Sequence, residues 1–385
     1  MKLLHLGDLH IGKALGDFNL IEDQKYILEQ ILDMAKANSV DGILLAGDIY
    51  DKSIPSEEAV GVFDSFLRAL AESKIMTFAI SGNHDSDERL NFGSSLFEAN
   101  QIYISAKYNG ELYKKEVQDE HGKVNIYLLP FVKASQVRHF FPQEEIDSYD
   151  AAVRVVLKQA QIDEKERNIL VAHQFVAGMG AEPVLGGSEG AAALNVGNVE
   201  KIGTDCFKAF DYVALGHIHS PQKVGREEIR YAGSILKYSL SEVNNHKSVP
   251  LITIGKKDEV SIELLPLNPL RDMRHLKGKV SQLLDKNNIK APNDFIYVTL
   301  TEDDLVNDAM GIFQQHYPNT IKIDYDNTRT RTIEQVDISR ITEEKSFPEL
   351  ISDFYRFVYD MEISEEEMKV MQEVAREAGV INEAD

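Results

Sequence analysis

Short apolar runs that each stop at a polar cluster constrain this chain most. Lys2–Leu6 stops at Asp8, Gly42–Ala46 at Asp48, Ile75–Ile80 at Asn83-His84, Ile169–Ala172 at His173 and Tyr212–Leu215 at His217. Runs this short and this uniformly apolar read as strands buried on both faces. Helical patterns lie between them. Ile27, Ile31, Met34 and Ala35 share a face of 22–38, and Phe63, Phe66, Leu67 and Leu70 form the stripe of a helix starting at Pro55-Ser56-Glu57-Glu58. Further β runs at 125–129, 229–232, 250–254 and 260–264 extend the plan. The alternation predicts a layered α/β domain over residues 1–265. Open sheets of this kind bind ligands beyond the C-termini of their strands, where these polar clusters sit.

Past Leu265-Pro266-Leu267-Asn268-Pro269 the composition changes. A small α/β unit is expected over 266–335, with helices at 275–284 and 303–316 and strands at 295–300 and 320–325. It is short for an independent core, so it is expected to dock on the first domain. The last segment, 336–385, reads as two helices. Ser346-Phe347-Pro348-Glu349 and Ser364-Glu365-Glu366-Glu367 both match a capping box, and Gly379 suits a helix end. Phe347, Leu350, Ile351, Phe354, Phe357, Val358 and Met361 recur at helical spacing. So much apolar surface either folds back on the chain or serves as a partner-binding arm.

Bulk properties narrow the class. The chain has 385 residues, a single cysteine and a net charge of −22. One cysteine, Cys206, precludes an internal disulfide, and no apolar run approaches the ~20 residues that cross a bilayer. His5 and Asp8 interrupt the N-terminal run, which therefore does not read as a secretion signal, and a cytoplasmic protein is expected. The acidic balance argues against a free-standing nucleic-acid binder. It does not exclude a phosphodiester substrate, because bound divalent cations carry their own positive field.

The strand-end residues suit such chemistry. Hydrolysing a phosphodiester requires screening of the phosphate charge and a water of lowered pKa. Two cations about 3.5–4 Å apart do both, held by Asp, His and Asn. The chain offers Asp8-x-His10, Gly47-Asp48-x-x-Asp51, Gly82-Asn83-His84-Asp85, His173 and Gly216-His217-x-His219. The glycines are expected to let the backbone turn sharply, so that side chains converge. Each cluster alone is a weak signal. His5 reads as a core histidine, Asp85 as a helix-start residue, Cys206 as a small packed hydrophobe, and His121, His139, His246, His275 and His316 as surface residues.

In this order the five clusters resemble the signature of the calcineurin-like metallophosphoesterase superfamily: D-x-H, G-D-x-x-D, G-N-H-D/E, H and G-H-x-H. The resemblance implies a four-layer α-β-β-α sandwich with two metal ions. Asp8, His10, Asp48 and His219 would hold one, and Asp48, Asn83, His173 and His217 the other, with Asp48 bridging. His84 would act on the leaving group, oriented by Asp51.

More local blocks resemble the bacterial branch of the Mre-type DNA repair nucleases over essentially the whole chain. These are 4–13, 47–51, 172–176, 216–222 and 231–239, the last with Ile235 where the branch often has Pro. This resemblance implies a manganese-dependent nuclease at DNA ends, exonucleolytic on duplexes and endonucleolytic on single strands and hairpins. It also implies a coiled-coil ATPase partner, two copies of each subunit, a capping domain over 266–335 and an ATPase-binding arm over 336–385. Lys13, Arg89, Lys133, Arg138 and His139 are candidates for DNA backbone contact. Two other readings stay open: a phosphatase or nucleotide phosphodiesterase of the same superfamily, and a non-catalytic scaffold, against which seven metal-binding side chains argue.

Overall fold

A computed structural model describes residues 1–178, 183–185, 187, 201–327, 347–359 and 363–377. They fall into two compact units: 1–277 with 281–298 and 308–323, and 278–280 with 299–307 and 324–385.

Two six-stranded sheets dominate the first unit. The first contains β1 (Lys2–Leu6), β2 (Gly42–Ala46), β3 (Met76–Ile80) and β4 (Ile102–Ser105); the second contains β5 (Tyr113–Asp119), β6 (Gly122–Leu129), β7 (Arg167–His173), β8 (Tyr212–Gly216), β9 (Gln222–Val224) and β10 (Arg226–Tyr231). The first sheet is completed by β11 (Ser248–Ile254) and β12 (Val260–Pro266), in the order β12-β11-β1-β2-β3-β4. The second runs β9-β10-β8-β7-β6-β5. Strands β1 to β4 pair in parallel, as do β6, β7, β8 and β10. The expected strands are therefore present, within a few residues of their expected ends.

Alternation along each inner strand explains the layering. Leu3, Leu44, Ala46, Phe78 and Ile80 of the first sheet meet Val124, Ile126, Ile169, Val171 and Tyr212 of the second in one core. Leu4, Leu6, Ile43 and Leu45 face the other way, onto α1 (Ile21–Ala37) and α2 (Glu57–Glu72). Leu170, Val213 and Leu215 likewise join Val153 and Val156 of a helix at Tyr149–Gln159, preceded by a helix at Ala134–Phe140. Both faces of both sheets are covered, giving the four-layer α-β-β-α sandwich. Ser56 caps α2 by accepting from the Ala59 N–H at 3.2 Å, as the acidic helix start implies.

The region after 266 departs from expectation. Residues expected as a helix at 275–284 instead form strand β13 (Met273–Gly278), followed by one turn of helix at Val280–Leu283. Burial along β13 alternates, which is a period of two. Its partner is β14 (Phe295–Leu300), which also pairs with β15 (Thr320–Tyr325). The helix expected at 303–316 is confined to Ala309–Gln314, because Asp308, at φ +49°, caps it by accepting from the Gly311 N–H. Met273 and Phe295 join the core beneath α1, and Arg271 pairs with Asp23 of α1.

In the second unit the Thr301 N–H donates to the Gly278 carbonyl and the Val280 N–H to Glu302. Helices at Phe347–Tyr359 and Glu365–Glu377 pack on each other, with the Tyr355 hydroxyl donating to Glu367 at 2.6 Å. The capping box at Ser364 is present: the Glu367 N–H donates to Ser364 Oγ, and the Ser364 N–H returns the bond to Glu367. Ser346, Met361 and Gly379 lie outside the described residues.

Candidate metal centre

Parallel strands of both sheets end along one rim. Asp8 and His10 follow β1, Asp48 follows β2, and Asn83 and His84 follow β3; His173 closes β7, and His217 and His219 follow β8. Asp8, His10, Asp48 and His217 themselves adopt positive φ, at 53°, 43°, 49° and 99°. Such conformations cost of order 1–3 kcal/mol each and persist where surroundings over-determine them. The turns are thus made by the polar residues themselves as well as by the glycines. Gly82 and Gly216 serve mainly close approach: a β-carbon on Gly82 would overlap Asp48, and one on Gly216 the Ala46 carbonyl.

The rim brings the proposed ligands together. Asp8, His10 and His219 offer donor atoms within 4.8 Å of one another, as do Asp8, Asp48 and His173. His10 Nε2 lies 3.1 Å from His219 Nε2 and 3.5 Å from Asp48 Oδ2. His173 Nε2 lies 3.3 Å from Asp48 Oδ2 and 3.1 Å from Asn83 Oδ1, which is 2.9 Å from His217 Nδ1. Apart from Asn83, these donors are almost wholly withdrawn from solvent.

The site's chemistry fits divalent cations. Asp8 Oδ2 and His10 Nδ1 are buried without a hydrogen-bond partner among the described residues. Burial pushes the Asp8 carboxyl up to about 6, against the opposing pull of His173 and His219. It also holds His10 well below the usual imidazole range and His217 down at about 3. At His173 burial lowers the pKa, but the Asp48 carboxylate outweighs it and raises the imidazole to about 9. At Asp48 burial raises the pKa and the surrounding imidazoles outweigh it, holding the carboxyl well below its ordinary value. The His10 and His217 imidazoles, held neutral by burial, and the converging carboxylates present lone pairs in a dry site that a cation satisfies.

Neighbours set the ligands' orientation. The His173 Nδ1–H donates to the Ala46 carbonyl at 2.7 Å, which turns Nε2 toward the rim. The His217 N–H donates to Asp8 Oδ1 and the His84 N–H to Asp48 Oδ1. Gln24 donates to the His10 carbonyl at 2.7 Å, and the Tyr238 hydroxyl to that of Leu9 at 2.5 Å.

The Asp51–His84 pairing runs through the main chain. The His84 Nδ1–H donates to the main-chain carbonyl of Asp51 at 3.0 Å. The Asp51 carboxylate instead accepts from Lys13 at 2.8 Å and lies 3.6 Å from His10 Nδ1. Lys13, placed over the Tyr238 ring, is thereby engaged inside the site. Arg138 spends its guanidinium on the Ile146 carbonyl. His5 is a core residue, with Nδ1 3.0 Å from the Tyr212 hydroxyl, and His121, His139, His246, His275 and His316 are exposed.

Three important residues escaped the sequence reading. Asp85 is no mere helix start: its buried carboxylate accepts from the N–H groups of Ile49, Tyr50 and Gly82, tying the β2 loop to the β3 loop. The third position after Gly82 in the G-N-H-D block was the available signal. Behind His219, the buried Lys247 ammonium donates to the His219 carbonyl at 2.8 Å and to Glu242 at 2.5 Å, with Glu242 Oε1 3.7 Å from His219 Nδ1. Burial raises the Glu242 pKa, but the His219 hydrogen bond and the Lys247 charge outweigh it and hold the carboxyl at about 2. No motif announces either residue.

Fold and donor set together define a phosphoesterase, and residues 1–221 match the calcineurin-like phosphoesterase family. Residues 269–359 match a family described as the type 5 capsule protein repressor C-terminal domain. The chain is 34% identical over 372 residues to the SbcD subunit of the nuclease SbcCD of Staphylococcus epidermidis, covering 95% of each. It belongs to the calcineurin-like metallophosphoesterases, in the SbcD nuclease-subunit family, and is a metal-dependent phosphodiester hydrolase. Among solved structures, a dimetal phosphatase from Danio rerio is 10% identical with a TM-score of 0.40, covering 70% of this chain and 98% of that one. The E. coli phosphoesterase Yfce is 14% identical with a TM-score of 0.27, covering 70% of this chain and 100% of that one. Scores this low add nothing to the family assignment.

Proposed function

We propose that this chain is a two-metal DNA nuclease that works on DNA ends with an SbcC-type coiled-coil ATPase. The convergence of seven donors on one rim, in a chain 34% identical to an SbcCD nuclease subunit, carries the reading. Asp8, His10, Asp48 and His219 would hold one cation, and Asp48, Asn83, His173 and His217 the second, with Asp48 common to both. Manganese is the proposed ion on the strength of the family resemblance, since the ligand set by itself suits manganese, iron and zinc alike. Bound there, divalent cations would supply screening of the phosphate charge and a water of lowered pKa. His84 holds its Nδ1–H on the Asp51 carbonyl; with the ring protonated at Nε2 as well, the Nε2 proton is the one given to the leaving oxygen, and the ring returns to its neutral Nδ1–H form. Asp51 orients His84 through its carbonyl, while its carboxylate faces Lys13 and His10.

The activities proposed are duplex exonuclease and single-strand or hairpin endonuclease, in a cytoplasmic assembly with two copies of each subunit. No described helix is long and apolar enough to cross a membrane. Residues 1–265 form the nuclease domain, 266–335 the cap and 336–385 the arm. The net charge of −22 is offset at the site by the cations and along the DNA by the partner. Phe354, Val370 and Val374, exposed at 59%, 58% and 55%, leave the helical hairpin an apolar face that suits a helical partner.

Linear duplex DNA incubated with the protein and manganese is expected to be digested, and His84→Ala to abolish the digestion. Rapid hydrolysis of mononucleotides with DNA left intact would favour the phosphatase reading, and failure to bind any divalent ion the scaffold reading. Deleting 346–385 is expected to abolish co-purification with the ATPase while metal binding persists. Undiminished association would place the arm elsewhere.

A further inference from the structure

An open cavity of about 540 Å³ adjoins the rim. Asn83 and His217 form part of its wall, so whatever fills it abuts the proposed second metal pocket. Its volume lies within the ~300–1,000 Å³ of sites for small organic groups. Neither the metal ligands nor His84 accounts for the rest of its lining.

That lining has a definite chemistry. Phe131 is half-buried, lies 23° from parallel to the His217 ring at 6.4 Å, and meets His173 edge-on at 6.3 Å. Its own N–H donates to the Ser81 carbonyl at 3.0 Å, which ties the ring's backbone to the β3 loop. Tyr149 and Phe175 add further aromatic wall. Gln174 is fully buried: its Nε2 donates to the Val132 carbonyl at 3.4 Å, while its Oε1 has no partner among the described residues. Asp87 and Glu88 line one side and Lys133 and Gln136 another, so the wall's formal charges are mixed. A neutral, flat ring with hydrogen-bond donors on its edge suits the aromatic rings and the unpartnered Gln174 Oε1 together.

We propose that this cavity is a nucleobase subsite. It takes the base next to the scissile phosphate, stacked against Phe131, with an N–H group on the base edge donating to Gln174 Oε1. The proposal rests on the nuclease reading above and specifies how that site grips its substrate. Stacking tolerates any base, because every base offers a π-face. The subsite therefore adds grip without strong sequence choice.

The test uses the full chain, manganese and two single-stranded oligomers of equal length, one bearing bases and one abasic throughout. Both present the same phosphates. The base-bearing oligomer is expected to have the higher kcat/KM by roughly tenfold, the scale of one lost stacking contact. Phe131→Ala is expected to bring it down to the abasic value without changing the bound metal, and Phe131→Tyr to keep the preference. Equal cleavage of both oligomers, or an equal loss on both in Phe131→Ala, overturns the subsite and leaves the nuclease standing. Failure to cut either oligomer or duplex DNA overturns the nuclease reading and the subsite with it.

Discussion

The two sheets contribute differently to one rim. The first supplies both carboxylates and the amide, Asp8, Asp48 and Asn83, beside the single imidazole of His10. The second supplies imidazoles alone, His173, His217 and His219. Three of the first sheet's four donors sit at positive φ, against one of the second's three. The restraints differ as well. Asp85 laces two loops of the first sheet together through three main-chain N–H groups, whereas Lys247 and Glu242 brace a single histidine of the second. Negative charge and strain are thus concentrated on one side, and imidazoles whose tautomers need fixing on the other. Charge sets how strongly cations are held, and tautomer and orientation tune it.

Three substitutions test that division, in falling order of effect. Asp48→Asn removes the carboxylate that faces both His10 and His173. Both metals are expected to be lost, with activity falling by about 10²–10³-fold or more, a loss of the kind seen when a charge-stabilising group is removed. Metal analysis checks it, and two full-affinity ions in the variant would refute the bridge. Asp85→Ala orphans three buried N–H groups at ~1–3 kcal/mol each. A lower melting temperature and weaker metal binding are expected together, and an unchanged melting curve would show that the loops hold without the tether. Glu242→Gln keeps the volume behind His219 but removes the charge facing Lys247. Manganese affinity measured by calorimetry is expected to fall about 10–100-fold at one site only. Equal weakening at both sites would mean that the sheets do not divide the work.

Much of this was legible beforehand. The strands at 2–6 and 42–46 coincide with their apolar runs, since a strand buried on both faces has little choice but a continuous apolar stretch. The eight rim residues were legible for a related reason: a polar group directly after such a strand must leave the core, and parallel strands all leave at the same edge. The segment at 273–278 was not legible, because six residues with mixed polarity fit a helix face as well as a strand, and only pairing with β14 decides.

The chain's own order of residues therefore determined the two-sheet architecture, the donor set and its placement on one rim, because burial period and strand ends are local properties. Tertiary structure decided what each donor leans on. Asp51 turns its carboxylate to Lys13 and offers His84 only its carbonyl, Asp85 binds two loops, and Glu242 with Lys247 backs His219. Each depends on which loop meets which across the sheets, and spacing along the chain carries no record of such meetings.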